Sequence, residues 1–225
     1  TRNTAGPSAS ANQAGGVDSF GVMYTTSGAT TWIDGTRGRS LTMPGKTGVT
    51  AMVRHDNKLW LANTGNDVWS FDGSAWGISN SFAAAPNALE SFNGKLYAAL
   101  AGPGQVWQFD GAAWTLNATL TAGSIRALRA FAGRLYAGDD SGRVWAYEAA
   151  LDHWYVAFQS PSATIQSMGV YDGRLFVGAN PNIHVFNGTA WDISNVVGAD
   201  INSLVAYDNK LFGATNNAGI VYQFD

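Results

Sequence analysis

The chain has no cysteine in its 225 residues, which excludes a disulfide scaffold, thiolate metal sites and thiol catalysis together. Charge is scarce. Thirteen Lys and Arg stand against 16 Asp and Glu, a formal net of −3, so the basic footprint of a nucleic-acid binder is missing and no such partner is expected. Long apolar runs are also missing. No stretch approaches the ~20 residues that cross a bilayer, and no membrane insertion is expected. The polar opening TRNTAGPSASANQAGG lacks the apolar middle of an export signal. Thr1 in place of an initiating Met is what a processed or trimmed chain shows, one from which such a signal could already have been removed. Glutamate is nearly absent, with only Glu90 and Glu148.

What the sequence does contain is a repeat, whose detection decides the architecture. Val68, Trp69, Phe71, Asp72 and Gly73 return 38 residues later as Val106, Trp107, Phe109, Asp110 and Gly111, and then as Val144, Trp145 and Tyr147. Weaker versions are Ile183, His184, Phe186, Asn187, Gly188 and Val221, Tyr222, Phe224, Asp225. About a dozen residues before each lies a two-residue turn between apolar positions: Asp56-Asn57, Asn93-Gly94, Ala132-Gly133, Asp172-Gly173 and Asp208-Asn209. Asn-Gly and Asp-Gly between alternating apolar residues signal a β-hairpin, because a type I′ turn needs positive φ at both central positions.

Each copy reads as four short strands, a to d. In the second copy these are about 88–92, 95–100, 105–109 and 113–116. Leu96 beside Tyr97 and Val106 beside Trp107 place apolar side chains on both faces, as in a sheet covered on two sides. A sixth, fainter copy has Asp34-Gly35 and Ile33 in the Phe71 place. The expectation is an all-β, six-bladed β-propeller of four-stranded antiparallel blades, with five blades plus an N-terminal arm as the alternative. Residues 18–225 would form the propeller. Residues 1–17, rich in Ala, Gly and Ser, would be an arm that tethers the domain or supplies the outer strand missing after Asp225, so that the termini meet in one blade. The recurring tryptophans are expected to pack between blades.

On these motifs, residues 17–225 resemble the short-repeat β-propellers, a class that includes kelch-like modules, tachylectin-type lectins and phage-tail propellers. The kelch double glycine and the WD40 Gly-His and Trp-Asp signatures are absent, so the resemblance is architectural and transfers no site residue.

In an up-and-down meander the a-b and c-d turns lie at one end of a blade and the b-c and d-a connections at the other. The first set is uniform here and the second varies. Variable loops on a fixed scaffold are where ligand contacts gather, which makes the b-c loops the candidate face: Asn63, Asn66 and Asp67, then Gln105, then Asp139, Asp140 and Arg143, then Asn180 and Asn182, then Asn216 and Asn217. Asn, Asp and Gly also populate tight loops for their own turn chemistry. A rim of amides and carboxylates suits hydroxyl-rich ligands.

Catalysis and metals find less support. A glycosidase needs two carboxylates about 5–9.5 Å apart, and the two glutamates sit in different repeats. Ser70-Phe71-Asp72-Gly73-Ser74-Ala75-Trp76 is similar to the sialidase Asp box, without its spacer and without an arginine triad. His55, His153 and His184 lack metal spacing, and Asp139-Asp140-Ser141-Gly142 lacks the closing Glu of a calcium loop. No catalytic residue, metal or cofactor is expected. The reading is a non-enzymatic recognition module at an extracellular or virion surface that binds a glycan or receptor. The alternative is a structural component of a phage capsid or tail assembly with no small ligand, bound to other virion proteins, and a glycoside hydrolase is the distant third.

Overall fold

The computed structural model describes residues 23–27, 29–33, 38–41, 48–121, 123–161, 164–216 and 219–224. All regular structure among them is β, and no helix is long and apolar enough to cross a membrane. β1 (Met23–Ser27), β2 (Ala29–Ile33) and β3 (Gly38–Leu41) form a three-stranded sheet. The first blade is β4 (Val49–His55), β5 (Lys58–Asn63), β6 (Asp67–Phe71) and β7 (Trp76–Ser81). The second is β8 (Pro86–Phe92), β9 (Lys95–Leu100), β10 (Gln105–Phe109) and β11 (Trp114–Thr119). The third is β12 (Ile125–Phe131), β13 (Arg134–Asp139), β14 (Arg143–Glu148) and β15 (His153–Gln159). The fourth is β16 (Ser167–Tyr171), β17 (Arg174–Ala179), β18 (Asn182–Phe186) and β19 (Trp191–Val196), and the fifth is β20 (Ile201–Tyr207), β21 (Lys210–Thr215) and β22 (Val221–Phe224).

The described residues thus form a five-bladed β-propeller of antiparallel meanders, the alternative blade number and not the six first expected. The faint copy gave too high a count because it supplies only β1–β3, which hydrogen-bond to one another and carry no fourth strand among the described residues. The expected meeting of the termini concerns residues 1–17 and Asp225, which lie outside the described residues.

Local chemistry explains the repeat. Each a-b turn has positive φ at both central residues, for example 47° at Asn93 and 72° at Gly94, the type I′ geometry its sequence demands. In the first, second and fourth blades the c-d turn is closed by a side chain: the Asp72 carboxylate accepts from the backbone N–H of Ser74 (2.8 Å) and Ala75 (2.9 Å). Asp110 does the same with Ala112 and Ala113, and Asn187 with Thr189 and Ala190. These donors hold the exposed Asp72 carboxyl down at about 2. The turn sets the register in which Phe71 faces Trp76, Phe109 faces Trp114, Tyr147 faces Trp154 and Phe186 faces Trp191. Their ring centroids are 4.8–5.3 Å apart, pairs worth about 0.5–1.5 kcal/mol each beyond the area they bury.

The inner strands β4, β8, β12, β16 and β20 pack in succession. Side chains lace them together: Thr50 Oγ1 donates to the Pro86 carbonyl, Asn87 Nδ2 to that of Ile125 and Ser167 Oγ to that of Ile201. The core lies in the seams between blades. Leu96 turns toward Trp60, Ala62 and Val68 of the first blade, while its neighbour Tyr97 turns toward Ile125, Leu135 and Tyr147 of the third. This is the two-sided burial expected of adjacent apolar residues. Further seams join Val144 and Ala146 to Leu175 and Val177, and Phe176 and Ile183 to Ile201 and Leu211.

Candidate functional site

The b-c loops do diverge, but several candidate side chains serve the loops themselves. Asn63 is buried, and its Oδ1 accepts from the N–H of Gly65 (2.8 Å) and Asp67 (3.2 Å). Asp67, also buried, accepts from Ser81 Oγ at 2.7 Å. Asn66 is half-buried with φ of 68° and binds through its backbone, its carbonyl taking the Phe82 N–H. Gln105 Oε1 accepts from the Trp107 indole at 3.1 Å. Asn180 is exposed ahead of a cis Pro181, Asn182 is half-buried, and Asn216 donates to Asp200 at 2.9 Å. Asn217 lies outside the described residues.

Asp139, Asp140 and Arg143 are the candidates brought together in one cluster, at the seam of the second and third blades. Asp139 is fully buried. Its Oδ1 accepts from the N–H of Ser141 and Arg143, both at 2.9 Å, and its Oδ2 accepts from Arg143 Nε (2.8 Å) and the Trp145 indole (3.0 Å). Arg143 also donates to Thr121 Oγ1 at 2.8 Å, and its guanidinium lies 5.2 Å over the Trp145 ring, with 29% of the side chain still exposed. Asp140 Oδ2 takes the Ser124 N–H at 2.9 Å. Thr121, Ser124 and the flooring role of Trp145 were not among the sequence candidates. Their only signal was that Thr121 and Ser124 fall in a variable d-a connection.

Two other carboxylates tie strands together. Glu90 on β8 lies 3.5 Å from Arg129 on β12, joining two inner strands. Burial pushes the Glu90 carboxyl up, against the pull of Arg129. Arg134 pairs with Glu148 at 3.2 Å, and Lys95 donates to Gln108. Among the described residues no group of three His, Asp or Glu side chains is placed to hold a metal.

His55 and His184 fill aromatic positions, as their place in the repeat implies. His55 Nδ1 is 2.9 Å from Ser91 Oγ, and His184 lies 4.8 Å from the Phe158 ring. Burial lowers both below the usual 6.5. Their stabilising share is therefore complete above pH 6.5, where both chain states are neutral, and declines as the pH falls from 6.5 toward the folded-state values, because the unfolded chain takes up protons first. Urea midpoints are expected to fall between pH 7 and 5, and the double variant His55→Phe, His184→Phe should flatten that slope.

Comparison of folds places the chain among the β-propellers. The structure is similar to one in the nidogen/laminin complex, with a TM-score of 0.73 at 10% identity over 91% of this chain and 88% of that one. It is also similar to the extracellular domain of a putative hybrid two-component system from B. thetaiotaomicron, with a TM-score of 0.75 at 11% identity, covering 93% of this chain and 32% of that one. A third likeness, in the mitotic checkpoint complex, has a TM-score of 0.73 at 12% identity over 88% of this chain and 68% of that one. At such identities these likenesses establish the fold alone. No protein-family model and no curated protein matches the chain.

Proposed function

We propose that this propeller is a non-enzymatic recognition module of an extracellular or virion surface, which binds a glycan or a protein receptor through its variable b-c and d-a face. The observation that carries this reading is the fixed guanidinium of Arg143, bonded to Asp139 and Thr121 and laid over Trp145 while 29% of the side chain stays open. Arginine and tryptophan dominate binding hot spots, and a side chain already immobilised loses little further entropy when a partner arrives. The half-buried Asp140 beside it offers a carboxylate to hydroxyl or amide donors. Two of the similar structures come from protein complexes, which is in keeping with a binding role. The rival reading, a structural part of a phage capsid or tail, has no residue on this face to speak for it.

A glycan array and a cell-binding panel test the reading. The wild type is expected to bind, and Arg143→Ala to weaken that binding by about tenfold or more, the size of a hot-spot loss. Silence across both panels, or binding that Arg143→Ala leaves unchanged, refutes recognition through this face.

A further inference from the structure

The variable face carries a second polar feature, set on the inner strands and not on the loops. β4, β8, β12 and β20 each have a bulge one residue in from that face, and the residue left out of the pairing is Thr50, Asn87, Arg126 and Asn202 in turn. Gln166 holds the same place ahead of β16, since Ser167 pairs with Gly178 where Ala127 pairs with Gly138. All five are polar and half-buried, although the flanking Ile125 and Ala127, for example, are buried. Because the inner strands pack in succession, the five residues form an arc along the inner edge of the face. Bulges re-aim side chains and gather beside functional sites.

The fold uses two members of the arc. Thr50 Oγ1 donates to the Pro86 carbonyl, and Asn87 Nδ2 donates to that of Ile125 at 3.0 Å. Arg126, Gln166 and Asn202 follow on consecutive blades, and their side chains have no hydrogen-bond or ionic partner among the described residues. Arg126 Nε is buried as well as unpartnered. Arg129 and Arg134 also leave Nε without a partner, but each meets a carboxylate through its terminal nitrogens. Arg126 meets none. The carboxylates around it are committed elsewhere: Asp139 to Arg143, Asp140 to the Ser124 N–H, Asp200 to the Asn216 amide and Glu90 to Arg129. A half-buried guanidinium without a counter-ion gains most from an anion that enters from solution.

We infer that this arc seats a sugar that bears a carboxylate, with Arg126 holding the carboxylate and the amides of Gln166 and Asn202 meeting neighbouring hydroxyls. The inference rests on the reading of the variable face as the recognition surface and names the ligand class. A guanidinium fork matches a planar carboxylate with two parallel hydrogen bonds, and an amide both donates and accepts, as a sugar hydroxyl does. One cation among neutral groups suits a ligand with one negative charge among many hydroxyls. An acidic peptide, with its successive carboxylates, would call for several cations.

The test is an NMR titration of the whole chain with N-acetylneuraminic acid and glucuronic acid, beside glucose, which lacks the charge, and acetate, which lacks the hydroxyls. At least one acidic sugar should titrate with millimolar affinity and shift the signals of Arg126, Gln166 and Asn202. Arg126→Gln should weaken it by about tenfold or more, the size of a lost charged hydrogen bond. Arg126→Lys, which keeps the charge without the fork, should fall between the two. Asn202→Ala, which leaves the arginine in place, should weaken binding severalfold. The inference fails if neither acid titrates, if glucose or acetate binds as tightly as the acids, or if a folded Arg126→Gln binds as the wild type does. A neutral glycan that binds the panel through Arg143, with Arg126→Gln changing nothing, would overturn the inference and leave the recognition reading standing. Titration that Arg126→Gln removes, with silent panels, would uphold the inference and overturn the reading built on Arg143.

Discussion

Trp60→Ala is expected to lower the unfolding free energy by about 3–5 kcal/mol, the range for removing a buried tryptophan from a core. The Trp60 side chain is 3% exposed and lies in the seam of the first two blades, with ring centroids 5.3 Å from Phe109 and 6.5 Å from Trp114. Its indole donates to the His55 carbonyl at 3.0 Å. Truncation therefore removes the most deeply buried tryptophan of that seam and leaves the carbonyl without the indole donor. A domain of ordinary stability holds about 5–15 kcal/mol, so the variant should unfold at markedly lower urea. Leu116→Ala is the contrast. This side chain is 47% exposed on the outer strand β11, and its loss should stay within about 0.5 kcal/mol. Urea titrations of both variants check the difference. Equal midpoints would mean that the blades are not held together through their seams.

Much of this framework was legible because the repeat marks equivalent positions several times over. The paired runs Leu96-Tyr97 and Val106-Trp107 announced burial on two faces, and the Asp-Gly elements announced turns. The edges of the strands were harder. β8 begins at Pro86 and not near Ala88, because a bulge around Asn87 breaks the alternation that periodicity follows. β11 runs on to Thr119 through polar residues, since an outermost strand needs no apolar face to keep its ladder. The count of six exceeds the five blades observed, the stated alternative, for a related reason: Ile33 and Asp34-Gly35 match the motif, but no fourth strand joins β1–β3 among the described residues.

The site was legible as a face and not as residues. Asn63 and Asp139 hold corresponding registers, opposite Val49 and Ile125, where the second blade has Leu100 opposite Pro86. In the first and third blades the polar residue folds inward and ties the loop to itself, which an Asx turn allows at any b-c loop of suitable length. Sequence alone does not separate a side chain that closes a loop from one that faces a partner.

The sharpest link between fold and recognition is Asp139. Asp139→Ala removes four hydrogen bonds at once, two to backbone N–H groups and one each to Arg143 and the Trp145 indole. Breaking a buried ion pair costs about 3–5 kcal/mol, and the lower end applies because Arg143 keeps access to water. Asp139→Asn separates the contributions. The amide oxygen can still close the loop, but its NH₂ group then meets the donors of Arg143 and Trp145, and about 1–3 kcal/mol should be lost with the loop intact. The variant should therefore stay folded at room temperature while Arg143 swings free of Trp145, and partner binding should fall by about as much as in Arg143→Ala. Asp140→Ala removes only the acceptor for the Ser124 N–H and should cost about 1 kcal/mol. If Asp139→Asn loses stability but keeps full binding, the orientation of Arg143 is a by-product of folding and recognition lies elsewhere on the propeller.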